Sequence, residues 1–191
     1  MSEISTRERL IAAAFVVVAR EGLDAASVKA IAAEAGINSG LLHYHFPTKD
    51  ALFEAALLEA LESYLLRVRT RRLATAREDQ IKAFFGEARH AVTTDADFFR
   101  ARLAFAVRGL THPQLAEVLR ELNAAAVGET ALTFAAAQGR EAVCERDLQL
   151  AATLKAAFDG LMLTWLTDPL FPIDAAGDIL AVAAQTWLEG A

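Results

Sequence analysis

Apolar residues return at helical intervals along almost the whole chain. Ile11, Ala14, Phe15 and Val18 recur three and four apart, which sets them on one face of a helix. Ser5-Thr6-Arg7-Glu8 ahead of them fits a capping box, with a hydroxyl covering a first-turn N–H and Glu8 reaching back to its backbone. Gly22 ends that segment, and Ser27 can cap a second, short helix to about Ala35. Gly36 breaks it, a third short helix runs from about Asn38 to His45, and Pro47 stops the third. Proline lacks the N–H that a continuing helix needs. Thr48 then caps a long fourth helix carrying Leu52, Phe53, Ala56, Leu57, Ala60 and Leu61 on its apolar side.

Beyond about Ala74 the periodic segments lengthen to those of a bundle: 77–93, 95–109, 113–139, 145–167 and 174–189. Pro113, Gly139, the stretch from Asp168-Pro169 to Pro172, and Gly190 punctuate them. No run alternates apolar and polar residues between turn signals as a paired strand would. Composition agrees: 54% of the residues are hydrophobic, with only two Tyr and two Trp. Ala, Leu, Glu, Arg and Gln favour helix. The fold class expected is all-α.

The formal net charge of −6 is unevenly spread: −1 over residues 1–50, +2 over 51–110 and −7 over 111–191. An acidic last third argues against nucleic acid there but not at the N-terminus. The single cysteine, Cys144, excludes an intrachain disulfide and a multi-cysteine metal site, and suits a reducing, cytoplasmic location. Leu10 to Ala19 is apolar behind Arg7 and Arg9, yet Glu3 and Glu8 sit among those cations and Arg20-Glu21-Gly22 follows. That reads as a first helix of a folded domain, not a signal peptide. No stretch approaches the roughly 18 uncharged apolar residues of a membrane span.

The informative stretch is Ser27 to Lys49, SVKAIAAEAGINSGLLHYHFPTK. It asks for two short helices crossing steeply: Ile31 and Ala35 are apolar on the first, Leu42 on the second, and Ala32 is small where the backbones approach. Gly36 permits a positive φ in the turn and Ile37 plugs the corner. This is the pattern of a helix-turn-helix. The architecture expected is an N-terminal three-helix helix-turn-helix head, joined by a long fourth helix to a C-terminal helical-bundle body, about nine helices in all. The division expected is a helix-turn-helix domain at 1–48 and a helical body at 49–191.

Residues 7–60 resemble the DNA-binding region of the tetracycline-repressor (TetR) family. The resemblance lies in Ser27, Ile31-Ala32, Gly36-Ile37, His43-Tyr44-His45-Phe46 and Lys49. It implies a homodimeric regulator, a repressor bound to palindromic double-stranded operator DNA, without enzymatic activity or cofactor. It also implies roles by position. Ser27 and Lys49 would hold phosphates, and Lys29 phosphate or base. Asn38, Ser39, Gly40 and His43 would face the major groove, Tyr44 and His45 would add phosphate contacts, and Phe46 would be core. The chain departs from the family in carrying His43 where a Tyr is frequent and Ser39 where a basic residue is frequent.

The same resemblance implies a pocket in the body for a small, mostly apolar effector. Phe84, Phe98, Arg102, Phe105, Thr130 and Phe134 are its candidate lining, with Thr133 a further polar neighbour. Leu154, Phe158, Leu161 and Trp165, then Ile179, Val182 and Thr186, cover more than one face of the last two helices. Helices apolar on several sides need partners on several sides, so these residues are the expected dimer interface. The segment FDGLMLTWLTDPLFPIDAAGDIL further resembles bodies in the branch of choline/betaine regulators.

Other features read blandly. His43 and His45, two apart on a helix, point to different faces, and His90 and His112 are isolated, so no metal site is expected. Cys144 reads as a small buried apolar residue. The run RVRTRRLATAR, residues 67–77, reads as a solvated face near a helix C-terminus. An enzyme would need a nucleophile elbow, phosphate loop or metal set, and none is legible. A helical protein-interaction adaptor with a degenerate helix-turn-helix is the alternative, kept open by the acidic balance of the head.

Overall fold

A computed structural model describes residues 5–86 and 96–190. His90 and the far end of the segment expected at 77–93 lie outside the described residues. The helices are α1 (Thr6–Glu21), α2 (Val28–Ala35), α3 (Gly40–His45) and α4 (Lys49–Ala74). A 3-10 turn (Arg77–Asp79) leads into α5, described over 80–86. Then come α6 (Ala96–Gly109), α7 (Pro113–Ala137), α8 (Glu145–Thr167) and α9 (Ile173–Glu189). No strand occurs among the described residues. Two compact units result: Met1–Ser63 with Asp97–Leu122, and Tyr64–Ala96 with Asn123–Ala191. The units therefore do not divide at residue 48; α6 and the start of α7 belong with the N-terminal helices.

The first unit is built around α1. Its capping box forms as expected: Glu8 N–H donates to Ser5 Oγ at 3.2 Å and Ser5 N–H to Glu8 Oε2 at 2.7 Å. Those bonds favour the ionised carboxylate and hold the Glu8 pKa below its usual value. Leu10, Ile11, Ala14, Val17 and Val18 are buried on α1, against Ile31 and Ala35 of α2, Leu42 of α3 and Leu52 and Phe53 of α4. Phe105 of α6 is fully buried in the same core and meets Phe53 edge-to-face at 5.9 Å. Burying a side chain of that size contributes about 1.5–3 kcal/mol. The sequence pattern of residues 1–48 alone could not show that a helix some fifty positions later completes this core.

The second unit holds a separate core of Phe85, Phe134, Leu150, Ala151, Leu154 and Ala184. Its connections are closed by long polar side chains. Gln80 Nε2 donates to the carbonyls of Arg72 and Thr75, both at 2.8 Å, and so finishes α4. Arg77 donates to the Ala137 carbonyl at the end of α7. Gly139, at φ +71, lies against that guanidinium, and a Cβ there would sit 2.5 Å from Arg77 Cζ. The Arg140 guanidinium then grips Asp147 through both carboxylate oxygens, at 2.6 and 2.8 Å. Asp147 is buried and also accepts the Cys144 N–H at 2.8 Å, as the N3 member of a capping box that opens α8. The Arg140 bonds hold the Asp147 carboxyl below the usual carboxylate range.

Two bland readings of the sequence are corrected here. Cys144 is exposed, not buried, because it occupies the N-cap of α8, where the chain turns into the helix from outside. The 67–77 arginines are more than a solvated face. Arg69 and Arg72 both pair with the buried carboxylate of Glu129, and Arg71 lies over the Phe84 ring at 5.1 Å.

Candidate nucleic-acid interface

Backbone chemistry sets the helix-turn-helix. Ser27, in extended conformation, caps α2 by accepting the Ala30 N–H at 3.1 Å. At the other end Gly36 takes the left-handed conformation, φ 65 and ψ 38, and its N–H returns to the Ala32 and Ala33 carbonyls. A residue with a Cβ disfavours that conformation. The Arg9 guanidinium of α1 donates to the Ala35 carbonyl and, at 3.2 Å, to that of Gly36. One side chain thus neutralises the negative end of α2 and fixes the turn to α1. Sequence reasoning missed Arg9; an arginine in a first turn, with Arg7 two residues before it, carries no local sign that its partners lie 26 and 27 positions on.

After the turn, Asn38 Oδ1 accepts the Gly40 N–H at 2.9 Å. This Asx turn occupies the Asn38 carbonyl oxygen and delays α3 to Gly40, two residues later than the pattern suggested. Leu42 (0% exposed) and Phe46 (3% exposed) are core residues and mount α3 on the first unit. Around them Ser39, Gly40, Leu41, His43 and Tyr44 are exposed, with His45 half-buried. Tyr44 stands 83% exposed, edge-on to the His45 ring at 5.1 Å. Leu41, 44% exposed, was also missed, since helical periodicity does not say which of two adjacent leucines turns outward.

Cations flank this face through aromatic rings. Lys49 Nζ lies 5.3 Å from the centre of the Phe53 ring and Arg7 Cζ lies 5.2 Å from that of Phe46. Such contacts restrain the charged head while leaving its N–H groups to donate. Thr48 Oγ1 accepts the Ala51 N–H at 3.1 Å, so Lys49 stands at the capped N-terminus of α4. Lys29 and Ser27 are exposed at the start of α2. The structure therefore brings the expected positions 38–45 onto one short helix and its lead-in, with Lys29 and Lys49 on neighbouring helix starts.

The six expected pocket residues divide between the units. Phe98, Arg102 and Phe105 fall in the first, Phe84, Thr130 and Phe134 in the second. Phe105 and Phe134 are fully buried core, and the Thr130 and Thr133 hydroxyls donate back to Ala126 and Glu129 carbonyls within α7. An open cleft of about 560 Å³ in the second unit has other walls, among them Leu65, Arg69, Ala125, Glu129, Leu132 and Leu148. Of the expected interface residues, Ile179 and Val182 are 69% and 67% exposed, Thr186 is exposed, and Phe158, Leu161 and Trp165 are half-buried. Leu154 instead packs into the core of its own chain. No group of three metal-ligating side chains is found, and no helix is long and apolar enough to cross a membrane, among the described residues.

Known proteins share both parts of the chain. The family described as "Bacterial regulatory proteins, tetR family" matches residues 10–56, and "BetI-type transcriptional repressor, C-terminal" matches residues 77–188. UidR, an HTH-type transcriptional regulator of Escherichia coli (strain K12), is 39% identical over 64 residues, which span 34% of this chain and 33% of UidR. The HTH-type regulator BetI of Burkholderia cenocepacia is 29% identical over 177 residues, 88% of this chain and 85% of BetI. A transcriptional regulator from Rhodococcus sp. Rha1 superposes with a TM-score of 0.77 at 30% identity, over 97% of each chain.

Proposed function

As the chain belongs to the tetR family of DNA-binding bacterial regulatory proteins, with a body of the BetI repressor type, we propose that it represses transcription as a homodimer on a palindromic operator and is released by a small molecule bound in its body. The observation that carries the DNA reading is the mounting of α3. Leu42 and Phe46 hold it on the core, and Ser39, Gly40, Leu41, His43 and Tyr44 face outward. Lys29 and Lys49 contact phosphates on either side, and the Ser27 hydroxyl and helix N-termini add neutral donors. Leu41 offers a methyl-bearing surface to a thymine methyl. With few cations in the head, affinity falls only gently with salt.

The functional division is a DNA-binding head at 1–48 and an effector and dimerisation body at 49–191. A second copy of the chain covers α8 and α9 through Phe158, Leu161 and Trp165 on one and Ile179, Val182 and Thr186 on the other, a two-fold four-helix contact. The two α3 helices then enter successive major grooves about 34–36 Å apart. The effector acts by binding the state that fits DNA poorly more tightly than the state that fits it well. The protein acts in the cytoplasm, on DNA.

The test is fluorescence anisotropy of the full chain on the intergenic DNA beside its own gene, over a salt series with non-specific competitor. Saturable binding that survives competitor and is weakened about tenfold by Lys49→Ala supports the repressor. Binding that competitor abolishes at every salt overturns it in favour of a protein-interaction adaptor.

A further inference from the structure

Apolar walls, a buried carboxylate and a surplus of guanidinium meet on one side of the second unit. Leu65, Ala125, Leu132, Val143 and Leu148 line the open cleft, together with Arg69 and Glu129. Its volume of about 560 Å³ lies within the usual range of small-molecule sites, about 300–1,000 Å³. The Glu129 side chain, 9% exposed, accepts Arg69 Nε and Nη2 at 3.2 and 2.7 Å on one oxygen and Arg72 Nη2 at 3.4 Å on the other. Two guanidiniums on one carboxylate leave the cluster with a charge of +1. Arg72 Nε is buried without a hydrogen-bond partner but Arg72 does not line the cleft, so Arg69 alone presents guanidinium donors to it. Arg69, 61% exposed, commits Nε and Nη2 to Glu129 and keeps further N–H donors on Nη1.

We propose that this cleft binds an amphiphilic anion, a medium-chain carboxylate whose alkyl part lies on the leucines and Val143 and whose head group pairs with Arg69. The proposal rests on the reading of the body as the effector-binding part and gives that effector a chemical class. A carboxylate balances the surplus charge and adds charge-assisted hydrogen bonds to a fork suited to them. A cationic head would have to compete with two guanidiniums for one carboxylate. A neutral chain would cover the cluster and leave its charge uncompensated at a lower local dielectric.

Isothermal titration of the full chain with octanoate, 1-octanol and octylammonium, matched in chain length, tests this. Saturable octanoate binding at one site per protomer is expected, at least tenfold tighter than either analogue. Arg69→Gln should weaken it at least tenfold. Gly128→Leu is the second variant: Gly128 also lines the cleft, a Cβ there meets nothing within 4 Å, and the added side chain should block octanoate while leaving the circular dichroism unchanged. If Arg69→Gln misfolds, Gly128→Leu decides. Equal binding of octanol or octylammonium, or octanoate affinity unchanged in the folded variants, overturns the inference. Octanoate that binds as stated without shifting operator affinity upholds the site and removes the effector reading. Octylammonium that releases the operator while octanoate does not bind removes this inference and leaves the effector reading standing.

Discussion

Helices α1 and α9 are alike in length and in their share of Ala, Val and Leu, yet they are buried very differently. Of sixteen residues in α1, seven are buried, Leu10 to Ala19 in two continuous ridges. Of seventeen in α9, Ala184 alone is buried, while Ile179, Val182 and Trp187 are left about half or more exposed. The same helical chemistry is spent inside the chain at one end and offered outward at the other. A surface of that kind costs solubility unless something covers it. The two helices thus differ in where their apolar side chains go, into the core of the chain in α1 and to the surface in α9, the face proposed above to take a second copy.

The heaviest blow to that comparison is to charge the outward stripe. Ile179→Glu with Val182→Glu should convert a dimer to a monomer by light scattering and lower operator affinity more than a hundredfold, since two heads no longer bind as one. Both positions are exposed within the chain, so the helical signal and the melting of the monomer should stay cooperative. A variant that remains dimeric would remove α9 from the interface.

Next in size are the polar closures that hold each unit together. Asp147→Asn leaves Arg140 without its carboxylate partner. Loss of one member of a buried pair costs about 3–5 kcal/mol, reduced to ~2 kcal/mol by the one-third exposure of the Arg140 side chain. The native Asp147 pKa is lowered. Its contribution is thus full above the unfolded carboxylate range and fades as pH falls through the folded value. Denaturant melts over an acid series should show the wild type losing part of its stability that Asp147→Asn never had. On the head, Gly36→Ala places a Cβ at φ 65 and 3.0 Å from Arg9 Nη2. A loss of about 1–2 kcal/mol is expected in thermal unfolding.

The smallest effects separate grip from fold. Lys49→Ala should weaken operator binding about tenfold, close to 1.4 kcal/mol, and flatten the salt slope by about one phosphate, with the melting temperature little changed. Leu41→Ala should cost a few-fold in affinity, concentrated at one A·T pair in a base-substitution series. A uniform loss across all sequences would assign Leu41 to packing.

Much of the first unit was legible because its determinants are local. Ser5 with Glu8, Ser27, Gly36, Pro47 and Thr48 act within four residues, and a cap or a left-handed glycine reads the same in any context. The buried and outward faces of α3 were legible for Leu42, Phe46, Ser39 and His43, and misjudged by omission for Leu41. The pocket was the least legible. Phe84, Phe105 and Phe134 are as apolar as any ligand wall, and periodicity cannot distinguish a ring that lines a cavity from one that fills it.

The sequence by itself determined the all-helical class, the helix-turn-helix with its caps and turn, and the excess of apolar residues on the last two helices. Each follows from the conformational preference of one residue or from spacing along one helix. Tertiary structure alone decided that Arg9 ends α2, that Phe105 joins the head core, and that Arg69 and Arg72 share Glu129 beside a cleft. These depend on residues 26 to more than 50 positions apart coming within bonding distance. Such a distance is a property of how whole helices pack, and short-range patterning along the chain does not encode it.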